Sequence, residues 1–155
     1  MSKTLIDNLK LLDYTFVNAP MLVGGLALEQ HNIREVGADI DIMVSKYDWN
    51  NLKEKYSSCL NLFGGKDEYD VDATLNITLS NGVKLDIIFS LWQYDYIDFL
   101  KDSKLSIIDD MYFLTPSLVN LLIVKCFPGI LEKHEPSHND IELILKKLVK
   151  DKYKK

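Results

Sequence analysis

The chain has 155 residues, of which 47% are hydrophobic and 26% are charged, and its formal net charge is −5. This length suits one domain with a hydrophobic core of its own, and the composition excludes disordered, collagen-like and disulfide-rich classes. The first twelve residues alternate charges with leucines, which is unlike a secretory signal, and no uncharged apolar run has membrane-spanning length. We therefore expect a single cytoplasmic domain over residues 1–155 that spans no membrane.

Hydrophobic periodicity and turn residues predict short, alternating elements in the first part of the chain. In chain order these are a helix over residues 5–12, a strand over 21–23, a helix over 26–30 opened by Gly24 and Gly25, a strand over 39–44, and a helix over 47–60 capped by Ser45. A polar loop over residues 31–38 separates the second helix from the second strand.

A hairpin is predicted over residues 74–89, where apolar and polar residues alternate on both sides of Asn81 and Gly82. A two-residue turn would mix the apolar and polar faces of the two strands. A three-residue loop with Gly82 in the left-handed position instead pairs Ile77 with Leu85 and Asn76 with Asp86.

The last part of the chain is predicted to be mainly helical. Residues 92–112 mix acids with aromatics and favour irregular structure with a short helix or strand. Thr115 and Pro116 are typical of a helix start, and that helix carries Lys125 before Pro128 and Gly129 end it. A final helix is predicted to be capped by Ser137, with a buried stripe of Ile141, Ile144, Leu145 and Leu148.

Three aspartates stand in strands that are otherwise apolar. Asp39 and Asp41 alternate with Ile40 and Ile42, so both carboxylates leave the same face of one strand. Asp86 lies in the middle of the apolar run 83–89. Each aspartate alone could simply face solvent or pair with a lysine, but together they indicate one shared site, and hard divalent cations prefer such oxygen ligands.

The spacing of Gly24-Gly25, the Asp39-Ile40-Asp41-Ile42 run and the later Asp86 resembles the signature of the DNA-polymerase-beta-like nucleotidyltransferase superfamily. The helix from Pro116 to Lys125 and the later Asp140 resemble features of its minimal, toxin-like and antibiotic-modifying members. The resemblance covers about residues 20–148. It implies an α+β fold with a small mixed sheet and helices packed on one side.

The resemblance also implies roles for individual residues. Asp39 and Asp41 would bind two Mg²⁺ ions, with Mn²⁺ as a possible substitute, and Asp86 would complete the second metal site and could act as the base. Gly24 and Gly25 would let the backbone approach the triphosphate. Lys125 would face the triphosphate, although a lysine that extends along an amphipathic helix to solvent is an equal alternative.

One feature of the superfamily is not clearly matched in this sequence. The superfamily's basic residue ahead of the helix aspartate has no clear counterpart, since Lys133, His134 and His138 lie at a different spacing, and a structural role is expected for Asp140.

The implied activity is transfer of a nucleoside monophosphate from a nucleoside triphosphate to an acceptor hydroxyl, with release of pyrophosphate. The acceptor would be a small molecule, a protein or an RNA end. The lysines near the C-terminus favour a solvated helix end over a nucleic-acid patch, so long duplex nucleic acid is not expected as a partner. The alternative is a catalytically inactive, antitoxin-like or regulatory protein that keeps the fold.

Overall fold

The computed structural model describes residues 3–37, 40–62, 73–91, 94–126, 133 and 135–153. The helices are α1 (Lys3–Lys10), α2 (Gly24–Gln30), α3 (Lys46–Lys55), α4 (Tyr96–Leu100), α5 (Leu118–Cys126) and α6 (Glu135–Tyr153). The strands are β1 (Met21–Leu22), β2 (Ile40–Met43), β3 (Leu60–Leu62), β4 (Ala73–Thr78), β5 (Lys84–Ile88), β6 (Ser90–Leu91), β7 (Tyr94–Asp95), β8 (Lys104–Ile108) and β9 (Met111–Thr115). The predicted α+β class is confirmed, and no described helix is long and apolar enough to cross a bilayer.

Seven strands form one mixed sheet in the order β3-β4-β5-β2-β1-β9-β8. The β2–β5 and β1–β9 pairs are parallel, and the other pairs in this sheet are antiparallel. In the predicted hairpin, Ile77 pairs with Leu85 and Asn76 pairs with Asp86, so its predicted register is confirmed. The sheet thus places strands β2 and β5, which carry the candidate acids, side by side near its centre.

The two faces of the sheet carry different layers. Leu22, Ile42 and Ile87 face the main core, which also contains buried residues of α1, α2, α3, α5 and α6. The neighbouring positions in sequence point to the opposite face, because side chains alternate along a strand. On that face a smaller cluster includes Phe99 of α4, so this short helix packs against the side of the sheet opposite the main core.

Helix α3 is shorter than predicted. Ser45 caps it as expected, since the Ser45 hydroxyl accepts a hydrogen bond from the Asp48 amide at 3.2 Å. The helix ends at Lys55, a 3₁₀ turn follows at Ser57–Cys59, and Leu60–Leu62 pairs with β4 as the edge strand β3. Serines favour turns over helix interiors, so the Ser57-Ser58 pair ends the helix before its predicted last turn.

The region predicted to be mostly irregular contains more strand than expected. The β6–β7 hairpin leads into α4, whose Asp95 and Asp98 form a reciprocal capping box. Strand β8 then pairs with β9 along its whole length, which extends the sheet at this edge. The sequence does not mark β8 clearly as a strand, because its apolar residues Leu105 and Ile107 are both exposed and do not form a buried face.

The start of α5 also differs from prediction. Thr115 pairs with Lys104 as the last residue of β9, so it lies in the sheet and does not cap the helix. The cap is Ser117, whose hydroxyl accepts a hydrogen bond from the Asn120 amide at 3.2 Å. Pro116 therefore lies between the strand and the helix, while the predicted stop at Pro128 and Gly129 lies outside the described residues.

Helix α6 begins at Glu135, so the predicted cap Ser137 lies within its first turn and is buried. Ile141 and Ile144 are buried as predicted, but Leu145 is 46% exposed. The buried stripe is narrower than predicted because α6 packs mainly along α5.

Several turns use aspartate or asparagine in the left-handed backbone region. The non-glycine residues with positive φ, between 49° and 66°, are Asp13, Asn32, Asp102, Asp109, Asp110 and Lys133. Asp109 and Asp110 form the two-residue β8–β9 turn, which suits a hairpin turn with two consecutive positive φ angles. Short polar side chains tolerate this region better than most others.

A buried aspartate fixes the connection between α1 and β1. The Asp48 side chain is fully buried and accepts hydrogen bonds from the Tyr14 hydroxyl at 2.6 Å and from the amides of Val17 and Asn18 at 3.0 Å each. These contacts give hydrogen-bond partners to backbone amides of a segment that forms no helix or strand. Asp48 therefore holds the segment that leads into β1 and the double glycine.

Candidate active site

Two of the predicted acids lie side by side on the central strands. Asp41 of β2 is the register partner of Asp86 on β5, and the two strands are parallel. Paired residues on neighbouring strands point to the same face at a strand separation of about 4.8 Å. The two carboxylates therefore face one cleft, whose volume is about 300 Å³.

The cleft combines acids, an apolar wall and one lysine. Its lining residues are Val23, Gly24, Asp41, Met43, Thr74, Asp86, Ile88, Phe99, Leu121, Val124, Lys125 and Ser137. The apolar residues belong to the same sheet face as the acids or to α4 and α5. Such a mixture of apolar walls and a few converging polar groups is typical of a small-molecule site.

Gly24 lies directly against the Asp41 carboxylate. Its φ angle is +57°, and a β-carbon built at this position would lie 2.8 Å from Asp41 Oδ2. No side chain larger than hydrogen fits there without displacing the carboxylate. The first glycine is therefore required twice, once by the backbone conformation and once by the close approach of an acid.

Asn76 is a polar neighbour of the site that the sequence placed only by its register. Its amide nitrogen donates a hydrogen bond to Asp86 Oδ1 at 2.6 Å. The side chain is exposed and belongs to β4, the strand next to β5. This bond restricts the orientation of the Asp86 carboxylate.

Lys125 lies at the cleft and is held by a buried acid. Its ammonium nitrogen is 3.0 Å from Asp140 Oδ2, and the exposed fractions of the two side chains are 18% and 6%. Asp140 therefore has the structural role that the sequence predicted for it, and it fixes one of the candidate site residues.

Asp140 also binds Arg34, which sequence reasoning missed. Arg34 donates from Nε to Oδ1 at 2.8 Å and from Nη2 to Oδ2 at 3.1 Å. Burial alone would raise the pKa of Asp140, but hydrogen bonds from Arg34 and Lys125 outweigh it and hold that pKa below its ordinary value. The same hydrogen bonds raise the pKa of the Arg34 guanidinium.

A compositional signal marks Arg34. It is the single arginine in a chain that otherwise uses lysine for every basic side chain other than histidine. Arginine presents a planar fork that binds a carboxylate through two parallel hydrogen bonds, which lysine cannot do. The one arginine of the sequence thus indicates a position where that geometry is needed.

The other basic candidates lie apart from this network. His138 is exposed and lies 3.9 Å from Glu142 on the same helix, and Lys133 is exposed. His134 and the predicted metal ligand Asp39 lie outside the described residues. Gly25 is not among the lining residues, but a β-carbon built there would lie 3.4 Å from Arg34 Nη1.

The donor set at the cleft fits a hard divalent cation. Asp41 and Asp86 supply carboxylate oxygens from adjacent strands, which is the chemistry that Mg²⁺ or Mn²⁺ prefers. Among the described residues, which omit Asp39, no group of three His, Cys, Asp or Glu side chains is arranged to hold a metal ion. The described part of the chain therefore provides two candidate ligands.

A larger cavity of about 660 Å³ lies elsewhere, between the segment after α1 and the β8–β9 hairpin. Its acids, Asp13, Asp109 and Asp110, are exposed and take left-handed turn conformations. Turn geometry accounts for them, whereas it does not account for Asp41 and Asp86 in the central strands. We therefore identify the smaller cleft as the candidate active site.

Comparison of the sequence with protein-family models gives no match, and comparison with curated proteins also gives none. Comparison of the structure finds a crystal structure of a putative nucleotidyltransferase from Thermotoga maritima. The two chains are 16% identical, with a TM-score of 0.55 over 90% of this chain and 91% of that chain. The chain described here therefore has the fold of that Thermotoga maritima protein.

Proposed function

We propose that this protein is a metal-dependent nucleotidyltransferase. It transfers a nucleoside monophosphate from a nucleoside triphosphate to an acceptor hydroxyl and releases pyrophosphate. The fold shared with the Thermotoga maritima protein supports the class of reaction, and the cleft supports the assignment of residues.

The observation that carries this proposal is the in-register pair of Asp41 and Asp86 beside Gly24. Two like charges on adjacent central strands repel each other, and a bound divalent cation would offset that repulsion. Asp39, which lies outside the described residues, is proposed as the third ligand because it stands two positions before Asp41 in the sequence.

In the proposed reaction, the acceptor oxygen forms a bond to the α-phosphorus and the bond from that phosphorus to the β-phosphate oxygen breaks. Asp86 is the candidate base for the hydroxyl proton, and Lys125 offsets charge on the phosphates. When bound, Mg²⁺ would lower the pKa of the acceptor hydroxyl and stabilise the leaving pyrophosphate.

The acceptor is proposed to be compact: a small-molecule hydroxyl, or a hydroxyl on a protein or RNA end. A cleft of about 300 Å³ can enclose only part of a nucleotide and its acceptor, so the acceptor would approach from the open side.

The rival proposal, an inactive protein that keeps the fold as a binding or regulatory module, requires no metal and no triphosphate. It gives no physical reason for two like-charged carboxylates to be paired in register at the centre of the sheet. We therefore favour the enzyme.

The first test measures thermal unfolding with each ribonucleoside triphosphate, with and without Mg²⁺. A ligand that binds the native state raises the unfolding temperature, so at least one triphosphate should do so in a Mg²⁺-dependent manner. Labelled triphosphate is then incubated with the protein and three acceptor pools, namely small metabolites and antibiotics, transfer RNA, and cell proteins.

The matched variants are Asp41→Asn and Asp110→Asn. Asp41→Asn should abolish transfer while the protein stays folded and becomes slightly more stable without metal, because it relieves repulsion with Asp86. Asp110→Asn removes an equal charge from an exposed turn and should leave transfer unchanged. Unchanged transfer by a well-folded Asp41→Asn protein would count against the enzyme.

A further inference from the structure

Arg34 lies behind the candidate active site. It follows α2 in the chain, and its guanidinium reaches across to Asp140 in the first turns of α6. The same carboxylate binds Lys125 from α5. One buried acid thus joins three separate parts of the fold: the α2–β2 loop, α5 and α6.

The charges of this network do not cancel. One carboxylate faces two cations, so the three side chains together carry one net positive charge. If Asp140 bound Lys125 alone, the lysine would be neutralised by a full opposite charge. Because Arg34 binds both carboxylate oxygens and Lys125 binds one of them, the single negative charge is shared, and the Lys125 ammonium at the cleft is only partly neutralised.

Arg34 also lies near the second glycine of the double-glycine segment. A β-carbon built on Gly25 would lie 3.4 Å from its Nη1 atom, at van der Waals distance. The guanidinium is therefore close to the start of α2 as well as bonded to the acid that holds Lys125. Its side chain is 36% exposed.

We propose that Arg34 is a positioning residue of the active site, which acts through Asp140 to hold the Lys125 ammonium in the cleft and to keep it positive toward a bound triphosphate. This inference rests on the proposed function, since Lys125 has phosphates to bind only if the cleft binds a triphosphate. Arg34 is not among the residues that line the cleft, so its effect on a bound triphosphate would be indirect.

The test is a double-mutant cycle on triphosphate affinity. Dissociation constants for ATP, GTP, CTP and UTP with Mg²⁺ are measured calorimetrically for the wild type and for Arg34→Met, Lys125→Met and the double variant. Arg34→Met should weaken binding about tenfold, the scale of one hydrogen-bonded charge. In the Lys125→Met background the same change should have no further effect, because Arg34 acts through Lys125.

Two further variants separate positioning from folding. Arg34→Lys keeps the charge but not the two parallel hydrogen bonds, so its affinity should lie between those of the wild type and Arg34→Met. Lys150→Met removes an exposed positive charge of α6 and should leave affinity unchanged. Urea unfolding of every variant identifies any that does not fold, and Arg34→Lys then replaces Arg34→Met in the cycle.

Each outcome decides a different question. Suppose that the wild type binds a triphosphate. The positioning role is then overturned if Arg34→Met has the wild-type affinity, or if this change lowers the affinity equally in the wild-type and Lys125→Met backgrounds. The proposed function would still stand in both cases. Failure of the wild type to bind any triphosphate would overturn the proposed function and this inference with it.

Discussion

Gly24 shows how one residue can be specified by two independent constraints. Its backbone has a left-handed conformation, and a β-carbon added to it would lie against the Asp41 carboxylate. Gly82 has only the first constraint, since its φ is +85° and a β-carbon there meets open space. The two glycines therefore form a natural pair for separating backbone strain from interference with the site.

We predict that Gly24→Ala and Gly82→Ala both lower the free energy of unfolding by about 1–2 kcal/mol through left-handed strain. Only Gly24→Ala should also abolish Mg²⁺-dependent triphosphate binding, because the added methyl group displaces Asp41. Urea unfolding and calorimetry measure the two effects. Equal triphosphate affinity of the two variants would contradict the placement of Gly24 against the acid.

At the scale of elements, the segment between α1 and β1 depends on a single side chain. Asp48 of α3 accepts two backbone hydrogen bonds from this segment and one from Tyr14, and it is fully buried. The segment contains no helix or strand of its own, so these bonds take the place of the backbone hydrogen bonds of such an element.

We predict that Asp48→Ala lowers the free energy of unfolding by about 3 kcal/mol, because it removes three hydrogen bonds to one buried carboxylate. Asn50→Ala, an exposed change on the same helix, should lower it by less than about 0.5 kcal/mol. Chemical denaturation measures both. A similar small effect of the two changes would mean that water replaces the lost acceptor.

Local patterns in the sequence predicted the elements whose signals are strictly periodic. The β4–β5 register followed from keeping apolar residues on one face, and it correctly placed Asn76 beside Asp86. The β8 strand lies in a region where only a short helix or strand was predicted among irregular structure, and its exposed Leu105 and Ile107 give no signal of a buried apolar face. Thr115 resembles a cap in sequence, but pairing with β8 keeps it in the sheet.

The candidate site was predictable only in part for a related reason. Asp41 and Asp86 were identified because acids are unusual in apolar strands, and Gly24 was identified by the spacing of the double glycine ahead of the two-acid strand. Arg34 lies in a polar loop, where a charged residue is ordinary, and its partner Asp140 is distant in the chain. Only the tertiary fold brings the two together.

At the scale of the whole molecule, the net charge and the placement of the described lysines bear on whether a nucleic-acid backbone would bind. The exposed lysines of α6 lie in its last turns, and Lys147 is paired with Asp151 at 3.2 Å. With a net charge of −5, the chain can release few counterions from a duplex.

We predict weak binding to duplex DNA and RNA at about 150 mM ionic strength, with dissociation constants of about 100 µM or higher. Fluorescence anisotropy with a labelled duplex over a range of salt concentrations measures this. Tight binding with a steep dependence on salt would contradict the prediction and would leave the assignment of the cleft unaffected.

The left-handed turns have a consequence for how the acidity of this protein is interpreted. Four of its aspartates, Asp13, Asp102, Asp109 and Asp110, have positive φ, a conformation that asparagine adopts equally well. Replacing all four with asparagine would bring the chain close to neutrality without changing a strand, a helix or the cleft. Much of the net charge is therefore a by-product of how the backbone reverses direction, and relatives could differ widely in isoelectric point while sharing the same chemistry.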